Sequence, residues 1–189
     1  MSASQTPYVA LLRGINVGGR NAVPMKDLAA CLEAAGYRDV RTYIQSGNVL
    51  LTASESDGRK LEAALEGTIA DRFGFQVPVV VRTLAELKAT VKKAPDGFGG
   101  PDHRCDVIFL KHSLSVDEAF DALPEPLEGV DQQWKGPQAL YFSRLSAKAS
   151  KSRLSRITAS RIYPFITIRN WNTTTKLLGL LSDLAADVG

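Results

Sequence analysis

The order of its apolar segments constrains the fold of this 189-residue chain more than any other feature. In the first 83 residues, runs with strand periodicity alternate with runs that place apolar residues every three or four positions, as helices do. In chain order these are the strand "YVALLRGI", a helix from Pro24, the strands "VRTYIQS" and "NVLLTA", a helix from Gly58 to Phe73 and the strand "VPVVVRT". This order, βαββαβ, is the split pattern called ferredoxin-like.

The second half of the chain repeats this order. The predicted elements are the strand "CDVIFLK", a helix opened by the capping box Ser115–Glu118, the strands "DQQWK" and "ALYFSR", a helix over roughly Ala147 to Ser160, the strand "FITIRNW" and a last helix capped by Asn172 or Thr173. We therefore predict an α+β fold of two tandem ferredoxin-like subdomains, residues 1–83 and 105–189. A linking helix capped by Thr83 and Glu86 and a loop occupy residues 84–104, and the C-terminal helix ends the chain.

Composition indicates an ordinary soluble protein, since 44% of the residues are hydrophobic and 23% are charged. The first residues lack the basic start and the apolar stretch of a signal peptide, and no segment reaches the roughly 18 apolar residues of a membrane span. We therefore expect a cytoplasmic protein with no membrane partner.

Cysteines and histidines are too few and too dispersed for a typical metal site. Cys31 and Cys105 stand in no CxxC motif, so we expect free thiols rather than a disulfide. His103 and His112 flank one predicted strand without a carboxylate at metal-ligand spacing. We therefore expect no bound metal.

Positive charge is concentrated in one part of the chain. Nine of the 23 basic residues lie between Gln132 and Ser182, where Asp and Glu do not occur, so the rest of the chain has 14 basic residues against all 20 acidic ones. Such a region attracts phosphates, nucleic acid or anionic small molecules, or it forms a solubilising surface that docks on the acidic half. Within it, "SAKASKSRLSR" either follows a phosphate backbone or forms a solvated helix face.

Two segments, "RGINVGGRNAVP" and "TIRNWNTTTK", share one design: an apolar strand runs into a polar loop and then into a helix. Free N–H groups and the positive end of the helix dipole favour an anion at such a place. Arg13, Arg20 and Lys26 add positive charge to the first segment, and Arg169 and Lys176 add it to the second. We expect Arg13 and Arg169 to lie outside the core.

Asparagine amides in these segments can donate and accept hydrogen bonds, which suits a base edge, a ribose or a phosphate oxygen. The candidate ligand-binding residues are Arg13, Asn16, Gly18, Gly19 and Asn21 of the first loop, Ser46 and Asn48 of the β-turn, and Arg169, Asn170, Asn172, Thr173 and Lys176 of the second segment. Neither loop matches a dinucleotide-binding or P-loop motif. Because tight turns also favour Asn and Gly, a purely structural role stays open.

Three stretches, "LLRGINVGGRNAVPMKDL", "YIQSGNVLL" and "KSRLSRI...ITIRNWNTTTKLL", resemble the bacterial proteins grouped as domain-of-unknown-function family 1697. The resemblance extends over nearly the whole chain. It implies a cytosolic α+β protein, often built as tandem ferredoxin-like units. It implies no established activity, cofactor or catalytic residue.

Two hypotheses for function follow from the sequence. The first is the binding of a phosphorylated or nucleotide-like anionic small molecule between the Gly/Asn-rich loop and the "RNWNT" segment. The sequence does not assign an enzymatic activity, catalytic residues, cofactors or an oligomeric state. The alternative is an RNA- or DNA-binding module that uses the basic region 132–182. A third class, a scaffold that binds only another protein, would need an exposed apolar patch.

Overall fold

A computed structural model describes residues 5–19 and 21–188 of the chain. These residues form two compact units. The first unit contains the described residues up to Leu87 together with those from Leu177 onward, and the second runs from Lys88 to Lys176. Each unit contains one four-stranded antiparallel sheet, so the chain has an α+β fold.

The sheet of the first unit has the strand order β2-β3-β1-β4. Its strands are β1 (Thr6–Leu12), β2 (Arg38–Tyr43), β3 (Asn48–Ala53) and β4 (Val79–Thr83). The helices of this unit are α1 (Met25–Ala34) and α2 (Gly58–Phe73), and α3 (Leu84–Lys92) follows β4 in the chain. The bounds of α2 are those predicted, because Asp57 caps its first turn and Gly74 ends it with φ +80°.

The core of this unit lies between one face of the sheet and the helices α1 and α2. Its residues include Tyr8, Ala10 and Leu12 of β1, Leu28 and Leu32 of α1, and Leu61, Leu65 and Ile69 of α2. Val9 and Leu11, which alternate with the core residues of β1, are also buried. Both faces of β1 are therefore excluded from water, which explains its continuous apolar sequence.

The sheet of the second unit has the equivalent order β6-β7-β5-β8. Its strands are β5 (His103–Leu110), β6 (Asp131–Gly136), β7 (Ala139–Leu145) and β8 (Ile166–Asn170), and the short helix α4 (Val116–Asp121) follows β5. The strands β1 and β5 thus hold equivalent positions, as predicted. The capping box at Ser115 and Glu118 is confirmed.

The segment between β7 and β8 differs from the prediction. Two 3-10 helices, Ser146–Lys151 and Leu154–Ala159, replace the α-helix predicted over 147–160, and a third, Tyr163–Phe165, follows them. The chain is extended at Ser152, with ψ 141°, and the hydroxyl of Ser152 accepts a hydrogen bond from the Leu154 amide at 3.2 Å. Serine hydroxyls compete with helical hydrogen bonds in this way, so a Ser-rich run is a weak helix signal.

The last helix, α5 (Trp171–Val188), begins before its predicted cap. Asn170 Oδ1 accepts a hydrogen bond from the Thr173 amide at 2.7 Å, which is the contact of an N-cap residue. The predicted caps, Asn172 and Thr173, lie instead in the first turn. A run of polar residues offered several capping positions, and the first of them is used.

Gly47, in the turn between β2 and β3, permits a close approach to the end of β1. Its φ is +77°, and a Cβ built on it would lie 2.8 Å from Leu12 Cβ and 3.0 Å from Ile15 Cδ1. We expect Gly47→Ala to lower the free energy of unfolding by about 2–4 kcal/mol, because a strained φ and overpacking each cost about 1–3 kcal/mol. Urea denaturation of the full chain measures this loss.

The matched control is Gly18→Ala, where φ is +59° but no atom lies within 4 Å of the built Cβ. This variant should lose only about 1 kcal/mol, the cost of the positive φ. Equal losses in the two variants would contradict the close approach at Gly47.

Candidate functional site

The Gly/Asn-rich loop between β1 and α1 is held together by the side chain of Asn16. Its Nδ2 donates to the carbonyl oxygens of Val23 at 2.9 Å and Gln45 at 3.0 Å, and its Oδ1 accepts from the Val23 amide at 2.8 Å. Asn16 has φ +55°, a conformation that asparagine adopts more readily than most residues. It therefore joins the loop to the residues before α1 and to the turn between β2 and β3.

The other two asparagines of this predicted site also make internal hydrogen bonds. Asn21 Nδ2 donates to the Gly14 carbonyl at 3.2 Å. Asn48 is fully buried, and its Nδ2 donates to the Tyr43 carbonyl at 3.1 Å and to Ser46 Oγ at 3.0 Å. The asparagines of the first unit thus have a structural role that requires no ligand.

The remaining predicted residues of the first unit lie around these asparagines. Arg13 is half-buried, and its amide donates to the Pro78 carbonyl at 3.0 Å. Gly18, Gly19 and Ser46 are exposed, and both glycines have positive φ. Arg20, which the sequence pattern places among the charges of this loop, lies outside the described residues.

Arg169 is part of the core of the second unit, so the prediction that it lies outside the core is wrong. It is 8% exposed and faces Val107 in the β5–β8 pairing, on a sheet face that is buried. Its Nη1 donates to Thr167 Oγ1 and to the Ile168 carbonyl, both at 2.8 Å. Burial lowers the pKa of Arg169 to about 10.

The other residues of the second predicted segment lie at the end of β8 and in the first turns of α5. Thr173 is half-buried and Lys176 is exposed. Asn170 and Asn172 are exposed and line a cavity. The structure therefore brings together two of the predicted residues of this segment at one cavity wall.

Two cavities adjoin at one end of the second sheet, because Arg104 and Arg144 line both. The first, here named the serine cavity, has a volume of about 730 Å³ and is lined by Ser146, Ser150, Ser152 and Ser155 of the 3-10 segment. The second, here named the asparagine cavity, has a volume of about 470 Å³ and is lined by Gly99, Asp106, Asn170, Trp171 and Asn172. Both volumes are typical of small-molecule sites, which span about 300–1,000 Å³.

The strand register explains why the two arginines meet. Arg104 lies directly opposite Arg144 in the antiparallel β5–β7 pairing. Directly opposed residues project from the same face, with Cβ atoms roughly 4.5–5.5 Å apart, and like charges in this arrangement repel each other. The pair therefore concentrates positive charge where the two cavities adjoin.

Asp106 neutralises one of these charges. Its Oδ2 accepts a hydrogen bond from Arg144 Nη1 at 2.8 Å, and both side chains are largely buried. Burial raises the pKa of Asp106, and the guanidinium groups of Arg144 and Arg104 lower it by less, so the pKa lies above its ordinary value. Arg104 is exposed and makes no salt bridge with the described residues.

Arg104 and Asp106 are not among the residues predicted to bind a ligand. The signal was present, because they stand at alternate positions at the start of the apolar strand "HRCDVIFL", which places both on one face. Their partner Arg144 is one of the nine basic residues between Gln132 and Ser182. The β5–β7 pairing joins segments that are distant in the chain, so local periodicity does not predict it.

Cysteine and histidine side chains also lie at the asparagine cavity, where Cys105 and His103 form part of the wall. Cys105 Sγ accepts a hydrogen bond from the Gly99 amide at 3.2 Å, and both cysteines of the chain are free. Across residues 5–19 and 21–188, no group of three or more His, Cys, Asp or Glu side chains is placed to hold a metal ion. None of the helices in this part of the chain is long and apolar enough to span a membrane.

The fold and this site define an α+β protein with two four-stranded antiparallel sheets and a cationic cleft in its second unit. The chain belongs to the family described as "Protein of unknown function (DUF1697)", whose family model matches residues 5–141, and this confirms the resemblance noted in the sequence. The fold is similar to that of the conserved bacterial protein SP0830 from Streptococcus pneumoniae, at 28% sequence identity and a TM-score of 0.83. That similarity covers 94% of this chain and 99% of the other. No curated protein matches the chain.

Asn16→Ala tests the structural role of the Gly/Asn-rich loop. The substitution removes three hydrogen bonds and leaves their backbone partners unpaired, so we expect the free energy of unfolding to fall by about 2–3 kcal/mol. Asn172→Ala is the control, because that side chain is exposed, and it should change stability by less than about 0.5 kcal/mol. A stable Asn16→Ala protein, measured by urea denaturation, would show that these bonds do not hold the loop.

Asp106→Asn tests the environment of the carboxylate. Because the pKa of Asp106 is higher in the folded protein than its ordinary value of 3.8, protonation of Asp106 favours folding. This contribution is fully present below the ordinary pKa and is lost as the pH rises through the folded pKa. The unfolding free energy of the wild type, measured relative to Asp106→Asn, should therefore decrease from pH 3 to pH 7, and an increase would contradict the assignment.

Proposed function

We propose that the protein binds a phosphorylated or nucleotide-like anionic small molecule, and that its anionic group lies between Arg104 and Arg144. The observation that carries the proposal is the cross-strand pairing of these two arginines, of which only Arg144 has an ion-pair partner, Asp106. A phosphate between the guanidinium groups would relieve their repulsion and accept charge-assisted hydrogen bonds, which are among the strongest in proteins.

The serine cavity supports this proposal by its chemistry. Its described lining includes five hydroxyl side chains of Ser and Thr and no carboxylate, while Arg104 and Arg144 stand at its edge. Hydroxyl groups donate to phosphate oxygens without adding charge, so this wall suits an anion that the arginines neutralise.

The finer topology of the units bears on how this cavity arises. We infer that both units are variants of the ferredoxin-like βαββαβ fold, since their strand orders are equivalent and all neighbouring strands are antiparallel. In the second unit, 3-10 helices stand where the first unit has α2. This irregular segment lines the serine cavity, so the departure from a regular helix and the site coincide.

A ligand-binding role for residues of the first unit stays a prediction. It concerns Arg13, Asn16, Gly18, Gly19, Asn21, Ser46 and Asn48.

We also place the protein in the cytoplasm of a bacterium. The two free cysteines, which the reducing cytosol favours, and the similarity to a bacterial protein support this proposal.

Nucleic-acid binding along residues 132–182 is the weaker alternative. Arg169 is buried, and the ammonium group of Lys135 is paired with Asp117. A phosphate backbone is bound by a row of accessible cations, each of which adds to the salt dependence. Two of the nine basic residues are thus engaged elsewhere, so the region offers a phosphate backbone fewer accessible cations than the sequence suggests.

Arg104→Gln should lower the affinity for inorganic pyrophosphate at least tenfold, because it removes a charge-assisted contact of about 1.5–3 kcal/mol. The unliganded variant should be as stable as the wild type or more stable by up to about 0.5 kcal/mol, since it no longer opposes Arg144. Calorimetric titration in about 200 mM salt measures the affinity, because such salt weakens contacts with many phosphates far more than contacts with one or two. Thermal unfolding measures the stability.

Arg161→Gln is the matched control, because Arg161 is exposed and lines neither cavity. It should leave pyrophosphate binding unchanged. Equal affinities of the Arg104 and Arg161 variants for pyrophosphate would show that the arginine pair is not the binding site. Tight binding of short RNA that weakens steeply with salt would favour the alternative.

A further inference from the structure

The two adjoining cavities differ in the chemistry of their walls. The serine cavity combines hydroxyls with the two arginines and has no carboxylate among its described lining residues. The asparagine cavity is lined by Asp106, by Asn170 and Asn172, whose side chains carry amides, and by Trp171. A phosphate is repelled by a carboxylate, whereas a nucleobase uses acceptors, amides and an aromatic surface. The two walls therefore suit two different parts of one molecule.

Trp171 is fixed in place by an aromatic cluster around Phe98. The ring centroids of Phe98 and Trp171 lie 5.1 Å apart, with the planes at 88°. Phe98 also contacts Tyr141, with centroids 5.4 Å apart, and Trp134, with centroids 6.1 Å apart. Such edge-to-face contacts hold a ring in one orientation. Trp171, which is half-buried and lines the asparagine cavity, is thus held in one position.

Gly99 also packs closely against the indole. It has φ +88°, and a Cβ built on it would overlap with Cδ1 and Nε1 of Trp171. Only glycine therefore allows the loop 97–100 to pack against the ring without moving it. The loop and the start of α5 keep the indole at the cavity wall.

Hydrogen-bonding groups face the same cavity. Asp106 and Asn170 lie opposite each other in the β5–β8 pairing. Asp106 Oδ2 is paired with Arg144, which leaves Oδ1 as an acceptor, and Asn170 Oδ1 caps α5, which leaves Nδ2 as a donor. The exposed amide of Asn172 adds a donor and an acceptor. Nucleobase edges present this mixture of donors and acceptors.

We infer, resting on the proposed function, that the ligand is a nucleoside phosphate. Its base stacks on Trp171 in the asparagine cavity, and its phosphate lies between Arg104 and Arg144 toward the serine cavity. Trp171 is then the residue that distinguishes a nucleotide from a sugar phosphate. Base–aromatic stacking tolerates every base, so Trp171 selects the class and the polar groups select the base.

The test compares the four ribonucleoside 5'-monophosphates with ribose 5-phosphate, which has the same phosphate and sugar but no base. We expect at least one monophosphate to bind the wild type about tenfold more tightly than ribose 5-phosphate does. Trp171→Leu should abolish this advantage and leave the affinity for ribose 5-phosphate unchanged. Trp171→Phe should retain most of the advantage, because an aromatic surface remains.

Trp134→Leu is the matched control, since Trp134 also contacts Phe98 but lines neither cavity. This variant should still bind the monophosphate about tenfold more tightly than ribose 5-phosphate. If Trp171→Leu does not fold, as judged by circular dichroism, Asn172→Ala is tested in its place. We expect Asn172→Ala to lower the affinity for the monophosphate several-fold and to leave the affinity for ribose 5-phosphate unchanged. In either variant, an equal loss for both ligands would overturn the inference.

The outcomes separate this inference from the proposed function. If ribose 5-phosphate and all four monophosphates bind the wild type equally, the base has no site and the inference fails, while anion binding stands. If pyrophosphate, ribose 5-phosphate and the monophosphates all fail to bind, the proposed function fails as well. A base-dependent advantage that survives Trp171→Leu would also overturn the role of Trp171.

Discussion

The antiparallel pairing of β5 with β7 on one side and with β8 on the other decides which polar side chains meet in the second unit. It places Arg104 opposite Arg144 and Asp106 opposite Asn170. A slip of one residue would move every side chain of β5 to the other face and disperse these groups. The register is held by the apolar part of the strands, where Ile108, Leu110, Leu140, Phe142 and Ile166 form one core cluster. The core therefore positions a polar site to which it contributes no ligand-binding group.

Asparagine has different roles in "RGINVGGRNAVP" and "TIRNWNTTTK", the two segments that share a strand, loop and helix pattern in the sequence. Asn16 makes three hydrogen bonds to backbone groups of its own unit, so its side chain is fully engaged in holding loops together. Asn172 is exposed on a cavity wall, and its amide is available to a ligand. Spacing and residue type do not distinguish these cases, because both follow a strand and precede a helix. The distinction depends on which carbonyl groups the fold brings within reach.

Elements defined by neighbouring residues could be predicted from the sequence. The bounds of α2 and the capping box at Ser115 follow from periodicity and from caps within one turn. Features that depend on distant segments could not be predicted. Arg169 lies opposite Val107 on a buried sheet face, and the arginine pair forms through strands that no short turn connects. The 3-10 segment was missed because serine hydroxyls compete with the backbone for hydrogen bonds.

The 3-10 helices beside the serine cavity give one wall of the site a distinct dynamic character. Their backbone hydrogen bonds reach only three residues back, as from the Arg156 amide to the Arg153 carbonyl and from the Ser160 amide to the Ile157 carbonyl. Such short turns lack the long series of cooperative hydrogen bonds of an α-helix. They are stabilised mainly by the buried side chains of Leu154 and Ile157. We therefore expect amide hydrogens in this wall to exchange with solvent through small local openings. Amide hydrogens of the sheet should exchange only when a larger part of the structure opens. We therefore expect this wall of the cavity to move more readily than the strands that carry the arginines.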